Sequence, residues 1–217
     1  LDALYAQARA HEDLARVLRQ RVAYSEGEEQ AGLRLRLGQI ELSARSNPRG
    51  ALEAYAGILA DGAATAGEGA FDGALYALDD LMESIKGQNP EIAGEAARIL
   101  EPHFLAKEQI AKVVSTKEVQ VATAQDPDAR KGILQQIARH YAEDLGQPEM
   151  AFLSLTRAYS EHPADRGLVE SLEALADRAD THEELAELFG QALPSIDERE
   201  LALHLARTTA QIYDARL

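Results

Sequence analysis

The feature that most constrains this chain is internal repetition. His11-Glu-Asp-Leu-Ala-Arg-Val-Leu, Lys107-Glu-Gln-Ile-Ala-Lys-Val-Val and His182-Glu-Glu-Leu-Ala-Glu-Leu-Phe share one order of polar and apolar positions. A second pattern recurs as Leu37-Gly38, Ile137-Ala138 and Leu205-Ala206. A third joins Pro48-Arg-Gly-Ala-Leu-Glu-Ala-Tyr to Pro148-Glu-Met-Ala-Phe-Leu-Ser-Leu. Ala138, Leu172 and Ala206 step by 34 residues, as do Ala151 and Leu185, and Leu4 and Gly38. A fixed step of this size marks a supersecondary unit that cannot bury its apolar face alone and must stack on its neighbours.

The unit is a pair of helices. Leu14, Val17, Leu18 and Val22 recur at three- and four-residue steps, the spacing of one buried helical stripe. Leu33, Leu37 and Ile40 do the same, as do Leu52, Tyr55 and Leu59. Further stripes are Leu75, Leu78 and Leu81, then Ile133, Ile137 and Tyr141. The breaks carry turn chemistry. Asn47-Pro48 and Gln147-Pro148 put proline in a first helical turn, where its missing N–H costs nothing. Gly146 stands where a helix should end. Asn89-Pro90, Asp126-Pro127, His162-Pro163 and Leu193-Pro194 mark further boundaries. Connections this short make neighbouring helices antiparallel.

The motifs resemble those of the tetratricopeptide-repeat family, in the divergent style of long bacterial repeat proteins. In Leu134-Gln-Gln-Ile-Ala-Arg-His-Tyr and Pro148-Glu-Met-Ala-Phe-Leu-Ser-Leu, the small Ala138 and Ala151 match the positions where that family packs its first helix against its second. Tyr141 matches the family's first-helix aromatic, and Pro163 the proline that ends the second helix. The early tryptophan is absent, Glu41 replaces the tyrosine and Ser171 a large apolar residue. The resemblance implies an all-α, right-handed superhelix of roughly six hairpins running through residues 1–217. Residues 62–106 are the exception. Their length suits one extra helix or two shortened ones, and Pro102 should kink or split a helix there. The region is therefore expected to be irregular, a joint between segments 1–61 and 107–217.

Composition narrows the partners. With 37 acidic and 22 basic residues the net charge is −15, which repels nucleic acid and anionic membrane surfaces alike. The absence of cysteine excludes disulfides and thiolate metal sites. No apolar run of ~18 residues predicts membrane insertion, and no compartment is assigned. Helical pattern at both ends reads as a portion of a longer protein. Leu1, Leu4, Tyr5, Ile212 and Leu217 would then expose apolar surface for end-to-end association.

No catalytic, cofactor or metal site is expected. His11 and His182 hold one repeat position, which suits structure better than catalysis. His182-Glu-Glu-Leu-Ala lacks the second histidine of a zinc-protease helix. His162 is expected to be solvated in a turn. His103, His140 and His204 are far apart, and no histidine pair has the spacing of a helix-borne metal site. Gly67-Glu-Gly-Ala-Phe-Asp-Gly has neither a preceding strand nor a following lysine, so it reads as an inter-helix turn beside a mobile Asp61-Gly-Ala-Ala-Thr-Ala loop. The family register implies a concave groove lined by first helices. It puts Gln39, Arg139 and Arg207 at one equivalent position, with Gln135, Glu143 and Gln211 on the same face. The arginine forks would receive ligand carboxylates. The expected activity is therefore non-catalytic binding of a protein or peptide. Two alternatives stand beside it: an enzyme or ligand-binding domain on a helical toroid, and a structural spacer.

Overall fold

The computed structural model describes residues 11–214. The described residues are all-helical, 85% of them in helix, and form twelve α-helices. The described residues fall into two compact units, divided between Glu108 and Gln109.

The first unit contains α1 (His11–Tyr24), α2 (Gly27–Ser43), α3 (Pro48–Asp61), a four-residue α4 (Ala63–Ala66), α5 (Glu68–Ile85) and α6 (Pro90–Ala106). Each long helix packs on the next, α5 also lies on α2, and α6 on α3. The pairs α2/α3 and α5/α6 therefore stack first helix on first and second on second. The stripes read from sequence face inward: Leu14, Leu18, Leu33, Leu37 and Ala54 share one buried cluster. Leu75, Leu78 and Leu81 of α5 are fully buried.

The second unit contains α7 (Ile110–Thr123), α8 (Pro127–Arg139), α9 (Pro148–Glu161), α10 (Arg166–Ala179), α11 (His182–Ala192) and α12 (Arg199–Asp214). A π turn, His140–Asp144, prolongs α8, and a 3-10 turn, Leu193–Ser195, follows α11. Each helix again packs on its successor. One core joins Ile137, Ala138, Ala151, Leu155, Leu172 and Leu185 to Phe189 and Leu205. The small Ala138 and Ala151 are both buried at the α8/α9 contact. Ala206, a further repeat step along, is exposed.

The turn between first and second helices is the same in both units. Asn47 donates its backbone N–H to the Glu41 carbonyl at 2.8 Å, and Gln147 donates to Tyr141 at 2.7 Å. Arg45 donates to Ile40 and Leu145 to His140, at 3.2 and 3.0 Å. Ser46 and Gly146 take the left-handed conformation, with φ of 48° and 64°. This closure satisfies the last carbonyls of the helix and reverses the chain. Pro48 and Pro148 then start the second helix.

Glu41 shows what the first unit does without the aromatic found at Tyr141. Its carboxylate is fully buried, yet it accepts from Arg45 Nη1 at 2.7 Å, from Asn47 Nδ2 at 2.8 Å, and from Arg19. A buried carboxylate is tolerable only with such partners. This cage ties α1, α2 and the α2/α3 turn together.

Residues 62–106 differ from expectation in three ways. They hold two full-length helices, α5 and α6, rather than one extra or two shortened ones. The glycine-rich stretch is not a loop. Gly62 and Gly67, at φ 77° and 79°, take the two sharp reversals, with helix between them and again from Glu68. Buried Phe71 and Ala74 anchor the start of α5. Pro102 does not split α6, which continues to Ala106. So near a C-terminus a proline forfeits one hydrogen bond rather than a helix. Leu1, Leu4, Tyr5 and Leu217, expected at apolar ends, lie outside the described residues. Ile212 is half-buried against the core of the second unit.

Candidate functional site

Within the second unit, α8, α10 and α12 alternate along the chain with α9 and α11, and ion pairs link them near their N-terminal ends. Asp165 caps α10, its Oδ1 accepting from Gly167 N at 2.9 Å and Leu168 N at 3.2 Å. Its other oxygen accepts from Lys131 Nζ of α8 at 3.1 Å, one 34-residue step away. Burial pushes the Asp165 carboxyl up, but Lys131 and the cap amides outweigh it and hold it below the usual aspartate range. Arg130 Nε donates to Glu161 Oε1 at 3.0 Å, and Arg166 of α10 pairs with Glu198, ahead of α12. Further along, Glu173 Oε1 of α10 accepts from His204 Nε2 at 2.8 Å and Thr208 Oγ1 at 3.1 Å of α12.

Gln135, Arg139 and Glu143 are exposed along α8 and its π turn, and Arg207 and Gln211 are exposed on α12. Arg139 follows Gln135 by one helical turn, as Gln211 follows Arg207, so each pair shares a face. Arg139 and Arg207 make no ion pair among the described residues, whereas Arg130, Lys131 and Arg166 all do. Gln39 is likewise exposed, on α2 of the first unit. Sequence equivalence places it with Arg139, but it belongs to the other compact unit.

A second surface was not anticipated. An open cleft of about 520 Å³ lies between α9 and α11. Glu149, Phe152, Leu153 and Thr156 line it from α9, and Glu184, Glu187, Leu188 and Gln191 from α11, with Thr181 at one end. Each helix contributes positions i, i+3, i+4 and i+7, two turns of one face. The sequence carries a trace of it. Ala151-Phe-Leu followed by Leu155 is too broadly apolar for the one stripe that the core needs, and Leu153 is 55% exposed.

Several histidines have a neighbour of their own. His140 Nδ1 lies 2.8 Å from Asp144 Oδ2, and His182 Nε2 lies 3.0 Å from Asp177 Oδ1. His103 packs edge-on against Phe71, and burial lowers its pKa. His162 is not solvated as expected: its side chain is only 20% exposed. Among the described residues, no group of three or more histidine, aspartate or glutamate side chains could hold a metal ion. No described helix is long and apolar enough to cross a membrane. A small cleft of about 200 Å³ between α10 and α12 is lined by Arg166, Glu170, Glu173 and His204.

No protein-family model, curated protein or solved structure matches this chain.

Proposed function

We propose that this protein is a non-catalytic scaffold, a tetratricopeptide-like solenoid of helical hairpins that holds a protein or peptide partner. The observation carrying this reading is the contrast among the cations of the second unit. Arg130, Lys131 and Arg166 staple neighbouring elements through carboxylates, while Arg139 and Arg207 stand exposed with no such partner. In a chain with a 15-charge excess of acid, an arginine left without an internal carboxylate is available to an external one. Both occupy the first-helix position, two repeat steps apart, with Gln135 and Gln211 one turn away as neutral hydrogen-bonding neighbours. The shared 34-residue step, the repeated turn geometry and, within each unit, the contact of each long helix with the next support the solenoid reading.

The test is selection of peptides from a displayed random library on the full chain, followed by titration of the selected sequences. They should be enriched in aspartate and glutamate. The Arg139→Ala, Arg207→Ala double variant should bind them at least about tenfold more weakly, the loss of one or two charge-assisted pairs. Selected peptides that bind the double variant as tightly as the original protein would remove this groove.

A further inference from the structure

We infer that the cleft between α9 and α11 is a seat for a basic amphipathic helix of a partner protein. The inference rests on the scaffold reading but concerns a surface on the second helices, away from Arg139 and Arg207.

The apolar content of the cleft is in excess of what the core uses. Phe152 points its burial into the core of the unit, at 3% exposure, while Leu153, its neighbour, stands out at 55%. Leu188 of α11 is half-buried on the opposite wall. An aliphatic or aromatic side chain inserted between Leu153 and Leu188 would remove both from water, and burying a side chain of that size drives association. Both walls repeat with helical spacing over two turns. A third helix presenting side chains at i, i+3, i+4 and i+7 matches that spacing, the helix-in-groove mode of recognition.

Charge decides which helix. Glu149, Glu184 and Glu187 stand around the apolar strip, and no lysine or arginine lines the cleft. None of the three makes an ion pair among the described residues, although many carboxylates elsewhere in the second unit are paired. Glu149 and Glu184 lie in the first turns of α9 and α11, so the negative charge gathers at one end. A ligand helix with lysine or arginine flanking its apolar face satisfies all three. An acidic helix, or a second copy of this chain with its net charge of −15, is repelled.

The test uses two synthetic amphipathic peptides with the same leucine face, one carrying lysine and one glutamate on the polar face. Each is titrated into the full chain by calorimetry at physiological salt. The lysine peptide should bind and the glutamate peptide should not. Leu153→Lys should weaken the lysine peptide by about tenfold or more, and Glu187→Lys should also weaken it. Leu153 is exposed, so the variant keeps its fold, which an unchanged thermal melt checks. Glu170→Lys, on the α10/α12 surface, should leave binding within about twofold. Equal losses in Glu170→Lys and Leu153→Lys would reduce the effect to diffuse charge and overturn the inference. So would unaltered binding to Leu153→Lys. Binding lost in the Arg139→Ala, Arg207→Ala variant but kept in Leu153→Lys would overturn the cleft and leave the scaffold reading standing. The converse pattern supports the cleft whether or not the arginine groove survives its own test.

Discussion

Gly38 of α2 lies against the Tyr55 ring of α3. A Cβ added there would run into the Tyr55 ring, with Cζ at 2.6 Å and Cδ1 at 2.9 Å. The equivalent hairpin is less unequal in size, with Ala138 and Leu155 at these positions, both in one core cluster. The first helix is therefore one methyl larger there, and the second-helix residue is smaller by most of an aromatic ring. Gly38→Ala should cost about 1–3 kcal/mol, the usual penalty of overpacking. Adding Tyr55→Leu should recover a large part of it, and a double-mutant cycle read by urea denaturation would expose the coupling. Additive losses would show that the two residues do not compete for space. Tyr159 offers the opposite case. It is buried beside Phe189, with ring centroids 5.7 Å apart, and its hydroxyl has no hydrogen-bond partner among the described residues. Burial alone pushes its pKa up to about 12. Tyr159→Phe removes an unsatisfied polar atom and should be neutral or stabilising by about 1 kcal/mol. A clear drop in melting temperature would mean that the hydroxyl has a partner in solution. Neither residue's role is legible in the sequence. Gly38 reads as a small first-helix position, but the ring that requires it lies in another helix.

The elements were more legible than their contacts, and the reason is the range over which each is specified. Helix starts are written locally. Pro48, Pro90, Pro127 and Pro148 each open a helix as their X-Pro steps imply, and Asn47, Asp126 and Asp165 supply side-chain caps. The glycine-rich stretch misled because its two working glycines, Gly62 and Gly67, differ from Gly69 and Gly73 only in backbone angle. The cap at Asp165 makes a prediction at this scale. Asp165→Ala removes the cap of α10 and the anchor of Lys131, and should destabilise the second unit by about 1 kcal/mol or somewhat more. The pH dependence follows from its lowered pKa. The charged form is favoured in the folded state, so its stabilisation is fully present above the unfolded aspartate range near pH ~3.9. It is lost as pH falls through the lower folded value. Asp165→Asn keeps a capping side chain but cannot titrate. Its acid unfolding curve should lose part of the slope below about pH 4 while stability at neutral pH falls only by the lost Lys131 attraction. An unchanged acid limb would show that Asp165 does not contribute to it.

At the scale of the whole chain, the order of helix types matters most. The octet at Lys107 belongs with those at His11 and His182, so it marks α7 as a second-type helix. Yet α6, stacked on α3, already holds that place. Along the chain, alternation therefore breaks between α6 and α7, and the two compact units divide there, between Glu108 and Gln109. Glu108 takes a left-handed conformation, with φ of 55°. The division lies just beyond the 62–106 stretch. Residues 68–106 still stack on α2 and α3 even though their lengths depart from the repeat. In the repeat stack proposed above, a break in alternation is also a break in cooperativity. Leu75 and Leu172 are both fully buried, one in each unit. Leu75→Ala and Leu172→Ala should each cost about 2–5 kcal/mol. By hydrogen exchange, the first should speed exchange in α2–α6 and leave α8–α11 protected, and the second should do the reverse. If either substitution accelerates exchange throughout 11–214, the chain unfolds as one cooperative body and the division at Glu108 is geometric only.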